Sequence, residues 1–344
     1  MNEGTTTSPA SATQPLAQPA TARPSPADAV APRVAPPWRS ALVVLAIGAA
    51  AWWALPEQLG LLTRIAIAAL FVLSLDLVVG IAGLPTLGHA ALFGAGAYAA
   101  AIFALRVHAD PLLGLAVGVG AGALLAVLSG LFLVRYQGFT FLMLTVAVAQ
   151  IVASLAQKAR DWTGADDGLT GFTMQPLLGR FAFDLEGRTA ALYAVAALAV
   201  GLYVARRIAD SPFGLAVRGI HENRARMAAL GTPVRRRLIA MYTLAGALAG
   251  AAGALSAQTN AIVGLDSLSF ALSAEALVML ILGGAGRLYG ALVGAAVFTL
   301  LHHTAASINP YHWLFVVGGV LMAVVIVPPD RAWAWLRRRL GGRT

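Results

Sequence analysis

The chain has no cysteine and a single lysine, Lys158, among its 344 residues. Without thiols there is no disulfide, no thiolate zinc site and no cysteine nucleophile. Lys158 is followed by Ala159, so no Walker A loop ending in Lys-Ser or Lys-Thr exists and ATP cannot be cradled in that way. The G-x-G at Gly284 and Gly286 lacks the spacing and the strand-turn-helix context of a dinucleotide site. Charge is scarce too: 11% of residues are charged against 59% hydrophobic, with mean hydropathy +0.77. A soluble protein needs far more polar surface, so the composition defines an integral membrane protein.

The net charge of +9 does not redirect this reading toward nucleic acid. The arginines cluster at the ends of apolar runs rather than in a stripe interleaved with aromatics. Asp161, Asp166 and Asp167 crowd one polar loop, where paired carboxylates more often solvate a loop than transfer protons. His89 stands alone, and the adjacent His302 and His303 cannot share a helix face, so neither metal nor cofactor is expected.

Residues 1–38 are rich in Pro, Ala, Ser and Thr and offer nothing to bury; a disordered tail is expected there. It is too long before the first apolar run for a cleaved signal peptide, so that run reads as a retained span. A crossing helix needs about 20 apolar residues. Candidate spans are 40–58, 61–83, 85–105, 111–134, 139–157, 189–206, 237–257, 272–286, 288–306 and 311–328. The expectation is an all-α integral membrane protein of about ten transmembrane helices, some broken or re-entrant, occupying 39–329, with a basic tail over 330–344.

Lysine and arginine accumulate on the cytoplasmic side, which orients the spans. With the N-terminus inside, the inner loops hold Arg23, Arg33, Arg39, Arg135, Arg206, Arg207, Arg218, Arg224, Arg226, Arg235, Arg236, Arg237, Arg287, Arg331, Arg337, Arg338, Arg339 and Arg343. Outside fall Arg64, Arg106, Lys158, Arg160, Arg180 and Arg188, in company with most of the acids. Both termini are therefore expected in the cytoplasm, with 207–236 as an inner loop and 158–188 as an outer one.

Two apolar segments are interrupted. In SLDLVVGIAGLPTLGHAALFGAGAY, residues 74–98, Gly80, Gly83, Pro85 and Gly88 crowd the middle, and proline should break the helix near 83–86. In EALVMLILGGAGRLYGALVGA, residues 275–295, the element G-x-A-G of Gly80–Gly83 recurs at Gly283–Gly286. Irregular backbone at membrane depth persists only inside protein or beside a wet cavity. Asp76 and Glu275 each precede one interruption, and such acids either line a path or tie the broken helices together. The candidate path is Asp76, Gly80, Gly83, Pro85, Gly88, His89, Glu275, Gly283 and Gly286. Small residues at four-residue spacing (Gly114, Gly118, Gly122; Gly246, Gly250; Gly290, Gly294) read as ordinary close helix packing.

The stretch SPFGLAVRGIHENRARMAALG, residues 211–231, is different in kind. Ser211 suits an N-cap and Pro212 the first helical position, while Gly231 followed by Pro233 ends the helix. Phe213, Ala216, Val217, Ile220 and Met227 fall on one side of the wheel, with Arg224 in the stripe. Such a helix either lies on anionic lipid or fits a cytoplasmic partner.

That stretch, together with 74–98, the loop TGADDGLTG (163–171) and ILGGAGRLYGALVGA (281–295), resembles the permease subunits of branched-chain amino acid ABC importers. The resemblance runs in order from about 60 to 328. It points to the member of the permease pair with an outside TG-x-x-[ND]-GLTG loop, matched by Thr163, Gly164, Asp167, Gly168, Leu169, Thr170 and Gly171. It implies a bacterial inner-membrane location, a second homologous permease subunit, two cytoplasmic ATPase subunits and a periplasmic substrate-binding protein. It further implies that the loop with Ser211, Pro212, Phe213, Gly214, Arg218, Ile220, Glu222, Asn223, Leu230 and Gly231 docks on the ATPase. Arg224, Arg226 and Met227 depart from the family, which often has an acidic residue and then Ala-Ala. Branched-chain or other hydrophobic amino acids are the first substrate class; urea, amides and aromatic acids are alternatives. An ion-coupled secondary transporter using Asp76 and Glu275 and a membrane-embedded enzyme are the rivals, the second lacking any nucleophile or metal cluster.

Overall fold

The computed structural model describes residues 37–54, 56–176 and 187–308, together with Gly318, Gly319 and Met322. The expected tail over 1–38 (but for Pro37 and Trp38), most of the tenth span at 311–328, the basic tail at 330–344 and residues 177–186 of the outer loop lie outside the described residues.

Helices α1 (Pro37–Ala54) and α2 (Leu59–Asp76) come first, and α2 runs on through a π-helical turn, Leu77–Ile81. Then follow α3 (Ala90–Arg106), α4 (Pro111–Leu133), α5 (Gly138–Lys158) and the single turn α6 (Arg160–Thr163). Next are α7 (Arg188–Ala209), α8 (Pro212–Glu222), α9 (Arg224–Ala229), α10 (Val234–Asn260), α11 (Phe270–Gly283) and α12 (Leu288–Ile308). The chain is an all-α membrane protein, and each of the first nine expected spans is occupied by a helix. Among the described residues, six helices are long and apolar enough to cross a bilayer: α2 with its π turn, α4, α5, α7, α10 and α12.

The three shorter apolar helices are α1, α3 and α11. At about 1.5 Å per residue the 14 residues of α11 reach about 21 Å, short of a hydrocarbon core of about 30 Å. Residues 82–89 and 284–287 carry the chain where α3 and α11 are missing, which is the geometry of broken helices. Two boundaries differ from the sequence reading. Helix α3 begins at Ala90 rather than near 85, because Pro85 and Gly88 hold the preceding stretch out of helix. The single helix expected over 211–231 is two, α8 and α9, parted at Asn223, whose extended backbone (φ −156°, ψ 100°) lets its side chain cap α9.

Helices α2 and α10 are the most enclosed, whereas α5 leaves most of its surface exposed for lipid or partner. Helix α10 packs along α3 and α4, and α2 along α7, α10 and α12. Glycine makes the α3–α4–α10 contact possible: a Cβ on Gly96, Gly122 or Gly250 would run into facing backbone. Inside lipid, helices gain by such close approach rather than by hydrophobic drive. Where α4 starts, Asp110 accepts from the N–H groups of Leu112 (2.8 Å) and Leu113 (3.2 Å) with Pro111 at the first position. The carbonyl of Pro111 in turn accepts from Gln258 Nε2 at 2.8 Å and Tyr193 OH at 3.2 Å, linking α4 to α10 and α7.

Candidate functional site

Asp76 is the last residue of α2 and is fully buried. Its Oδ1 accepts a hydrogen bond from the backbone N–H of Gly286 at 2.6 Å, a charge-assisted contact if the acid is ionised. Gly80, one turn on, faces the same glycine, and a Cβ there would strike the Gly286 backbone, with Cα 2.7 Å away. Gly286 itself has φ +82° and Gly284 φ +88°, a left-handed path that glycine follows without strain. Gly283 is closed against Gly290 at the start of α12, and Gly294 against Gly283. The two G-x-A-G elements, read in the sequence as separate interruptions, therefore meet at one crossing.

The first interruption begins earlier than proline alone dictates. After the π turn, Ala82 N–H reaches Leu77 O (3.1 Å) and Leu84 N–H reaches Val78 O (2.9 Å), so the helix unwinds at Ala82 with Gly83 at φ +66°. Half-buried Pro85 sits inside the break. Backbone donors left over are met by hydroxyls: Leu87 N–H by Thr145 Oγ1 (3.3 Å), Gly88 N–H by Thr86 Oγ1 (3.2 Å) and Ala90 N–H by Ser273 Oγ (2.9 Å). Irregular backbone buried in protein requires such partners. Gly88 lies against the Thr145 carbonyl, where no side chain fits.

His89 closes the break and is fully buried. Ser74 Oγ donates to Phe71 O at 2.6 Å, so it accepts from His89 Nε2–H at 2.8 Å. The ring stacks on Phe71, centroids 5.5 Å apart. His89 thus packs between Ser74 and Phe71 inside the bundle. Glu275 does not join Asp76. It is half-buried on α11, within electrostatic reach of His302 on α12.

Helix α8 lies beside the crossing. Ser211 Oγ accepts from Gly214 N–H at 3.2 Å with Pro212 at the first position, the expected cap. Phe213 packs against the core, Gly214 fits against the carbonyls of Ile208 and Ala209, and Val217 and Ile220 are fully buried. Of the residues expected to dock, Gly214 and Ile220 are enclosed by the chain itself and Phe213 is half-buried. Pro212, Arg218, Glu222, Asn223, Leu230 (73% exposed) and Gly231 stand outward, joined by Leu215 (60% exposed). Leu215 escaped the sequence reading because a lone leucine off the apolar stripe carries no periodic signal. Asn223 is exposed and accepts from Arg226 N–H at 2.9 Å as the cap of α9. Gly231 has φ +81° with nothing within 4 Å of a would-be Cβ, while Thr232 N–H reaches back to Met227 O at 3.0 Å.

Helix α8 reaches the crossing directly: the His221 ring presses on Gly83, leaving no room for a side chain there. Beside them opens a cleft of about 790 Å³ lined by Gly83, Arg135, His221, Glu222, Arg224 and Arg235. Burial lowers the pKa of the Arg224 guanidinium from its ordinary value.

The loop 163–171 lies at the far end of α5. Thr163 Oγ1 is bonded to Ala156 O (2.5 Å) and Ala159 O (2.9 Å), and Ala165 N–H reaches Thr163 Oγ1 at 3.3 Å. Gly164, Gly168 and Gly171 have φ of +73°, +69° and +82°. Asp167 pairs with Arg160 at 3.3 Å, both well exposed. Leu169 and Thr170 form a short strand β1 antiparallel to β2 (Ile262–Val263), in the register Leu169 to Val263 and Thr170 to Ile262. The threonine and glycines of the motif thus shape the loop and seat it on the α10–α11 connection. Among the described residues no group of acids and histidines could hold a metal ion.

The chain is thus a bundle of broken apolar helices meeting at a buried acid, with an amphipathic helix pair at one end. The sequence pattern of the permease component of branched-chain amino acid transport systems matches residues 58–325, and the chain belongs to that family. It is similar to the high-affinity branched-chain amino acid transport system permease protein LivM of Escherichia coli K12, 28% identical over 320 residues, which cover 84% of this chain and 73% of that one. To the LivM protein of Salmonella typhimurium LT2 it is 29% identical over 287 residues, covering 75% and 65%. No solved structure matches the chain. The chain is a permease subunit of the branched-chain amino acid ABC importer type, a multi-pass inner-membrane protein that acts in transport rather than catalysis.

Proposed function

We propose that the chain, paired with a second homologous permease, forms the translocation path for branched-chain or other hydrophobic amino acids. ATP is hydrolysed on two cytoplasmic ATPase subunits that seat against α8 and α9, and a periplasmic binding protein delivers substrate to the loop side carrying Thr163–Gly171. Both termini then lie in the cytoplasm. The observation that carries this reading is the position of α8: one face is sunk in the membrane domain through Val217 and Ile220, His221 rests on the broken segment at Gly83, and Leu215 and Leu230 stand outward. A helix placed so transmits a push from a partner to the crossing of the broken helices.

Copurification of the ATPase with Leu215→Asp tests it, because that substitution alters the outward face and leaves the buried one alone. Loss of the ATPase with normal insertion of the permease pair supports the coupling role. Full retention of the ATPase and of transport in Leu215→Asp and Leu230→Asp together overturns it. The competing lipid-surface role predicts graded loss on removing Arg218, Arg224 and Arg226, restored by anionic lipid.

A further inference from the structure

At the end of the bundle opposite α8, a cleft of about 180 Å³ opens between α2, α3, α10 and α11. Its floor is apolar, built from Ile67, Phe71, Phe93 and Met279, and no acid lines it. Polar groups stand only where Arg64, Asn260 and Ser256 line it. Arg64 is exposed, and among the described residues no ion pair or hydrogen bond engages its guanidinium. Asn260 Nδ2 donates to Ser256 Oγ at 3.2 Å, which leaves the amide carbonyl Oδ1 as an acceptor. Asn260 is also the last residue of α10, where the carbonyl end of a 27-residue helix carries partial negative charge.

Cation, acceptor and grease are thus arranged around one small volume. We propose that this cleft receives an amino acid with an aliphatic side chain: the carboxylate on Arg64, the ammonium on Asn260 Oδ1 and the end of α10, the side chain against Phe71 and Met279. The inference rests on the transport function above and adds where in this chain its substrate sits. At about 180 Å³ the cleft is a little larger than the roughly 150 Å³ of a cavity that holds one benzene molecule, room for one small amino acid. Urea and simple amides fit the volume but would strand themselves on apolar walls and leave the guanidinium without an anion. The floor connects inward as well. Phe71 stacks on His89, which bonds Ser74 and closes the helix break, so an occupant touches the ring on which the break rests.

The test uses the whole transporter, with its partner permease, ATPases and binding protein, in proteoliposomes. Photo-leucine carried by the binding protein is irradiated, and the labelled peptides are mapped. The proposal expects label on the segments bearing Phe71, Phe93 and Met279, competed by leucine and not by urea. Arg64→Gln should raise the KM for leucine uptake about tenfold with the maximal rate nearly held, and Arg64→Lys should recover part of the loss. Ala68→Leu, which narrows the cleft, should shift preference from leucine toward alanine while binding-protein docking is kept. Leucine uptake with no label in the cleft, or an unchanged KM in Arg64→Gln, overturns the site and leaves the transport function standing. Label from a diazirine-bearing acyl lipid in place of photo-leucine also overturns the site, marking the cleft as a lipid groove. ATP-driven uptake of another solute with none of leucine overturns both.

Discussion

The backbone N–H of Gly286 and the carboxylate of Asp76 meet at 2.6 Å across 210 residues of chain. This bond pins the second broken helix to the first, and Gly80 permits it by having no side chain. Asp76→Ala would leave a part-buried N–H without its partner, a loss of about 1–3 kcal/mol. Asp76→Asn keeps an acceptor and should lose less. Thermal unfolding of the detergent-solubilised permease should rank wild type above Asp76→Asn and Asp76→Asn above Asp76→Ala; equal midpoints for Ala and wild type would exclude a tying role.

Gly83 is constrained twice, by φ +66° and by the His221 ring over it. Gly83→Ala adds left-handed strain of about 1 kcal/mol and a collision that forces His221 away. His221→Ala removes only the collision. The double variant Gly83→Ala/His221→Ala should therefore regain part of the transport lost in Gly83→Ala. Strictly additive losses would mean that the two residues do not act on each other.

Gly231 has open space around it, so a side chain there meets a backbone penalty and no clash. Gly231→Asn should be nearly silent, since Asn tolerates the left-handed region. Gly231→Val should cost on the order of 1 kcal/mol or more and fray the return into α10 at Arg235 and Arg236. On the proposed function, membrane insertion persists while substrate-stimulated ATP hydrolysis falls. Equal hydrolysis in the two variants would remove any special need for the turn.

The glycines of α4 divide cleanly into facing and exposed. Gly122 opposes Gly246 and Gly250, while Gly120 has nothing within 4 Å. Gly122→Leu should destabilise the bundle by several kcal/mol through overpacking against α10. Gly120→Ala should be neutral or up to about 1 kcal/mol stabilising. Unfolding midpoints of the two variants decide; similar behaviour would contradict the α4–α10 contact.

Much of this was legible in residues alone. Apolar runs located the helices of the first nine spans, and Pro85, with the glycines around it, marked the first interruption. The cap at Ser211 and the turn at Gly231 follow from local backbone chemistry, and local chemistry is what a sequence records best. Pairings across the chain are harder: four matched letters, G-x-A-G, hinted at related elements, but only three-dimensional packing brings Gly80 onto Gly286. The split at Asn223 was hidden because Asn is a moderate helix resident and a good cap, and periodicity continues across it. The inward turn of Gly214 and Ile220 was likewise hidden, since a wheel defines an apolar face without saying whether the chain itself or a partner covers it.

Uptake of leucine into proteoliposomes bears most directly on the proposed function. This chain reconstituted with a partner permease, two ATPase subunits and the binding protein should accumulate leucine only when ATP is inside with the ATPases, and Leu215→Asp should abolish accumulation. The chain alone should accumulate none under a proton or sodium gradient. Gradient-driven accumulation by the chain alone, lost on replacing Asp76 or Glu275, would contradict the importer account and install a secondary transporter in its place.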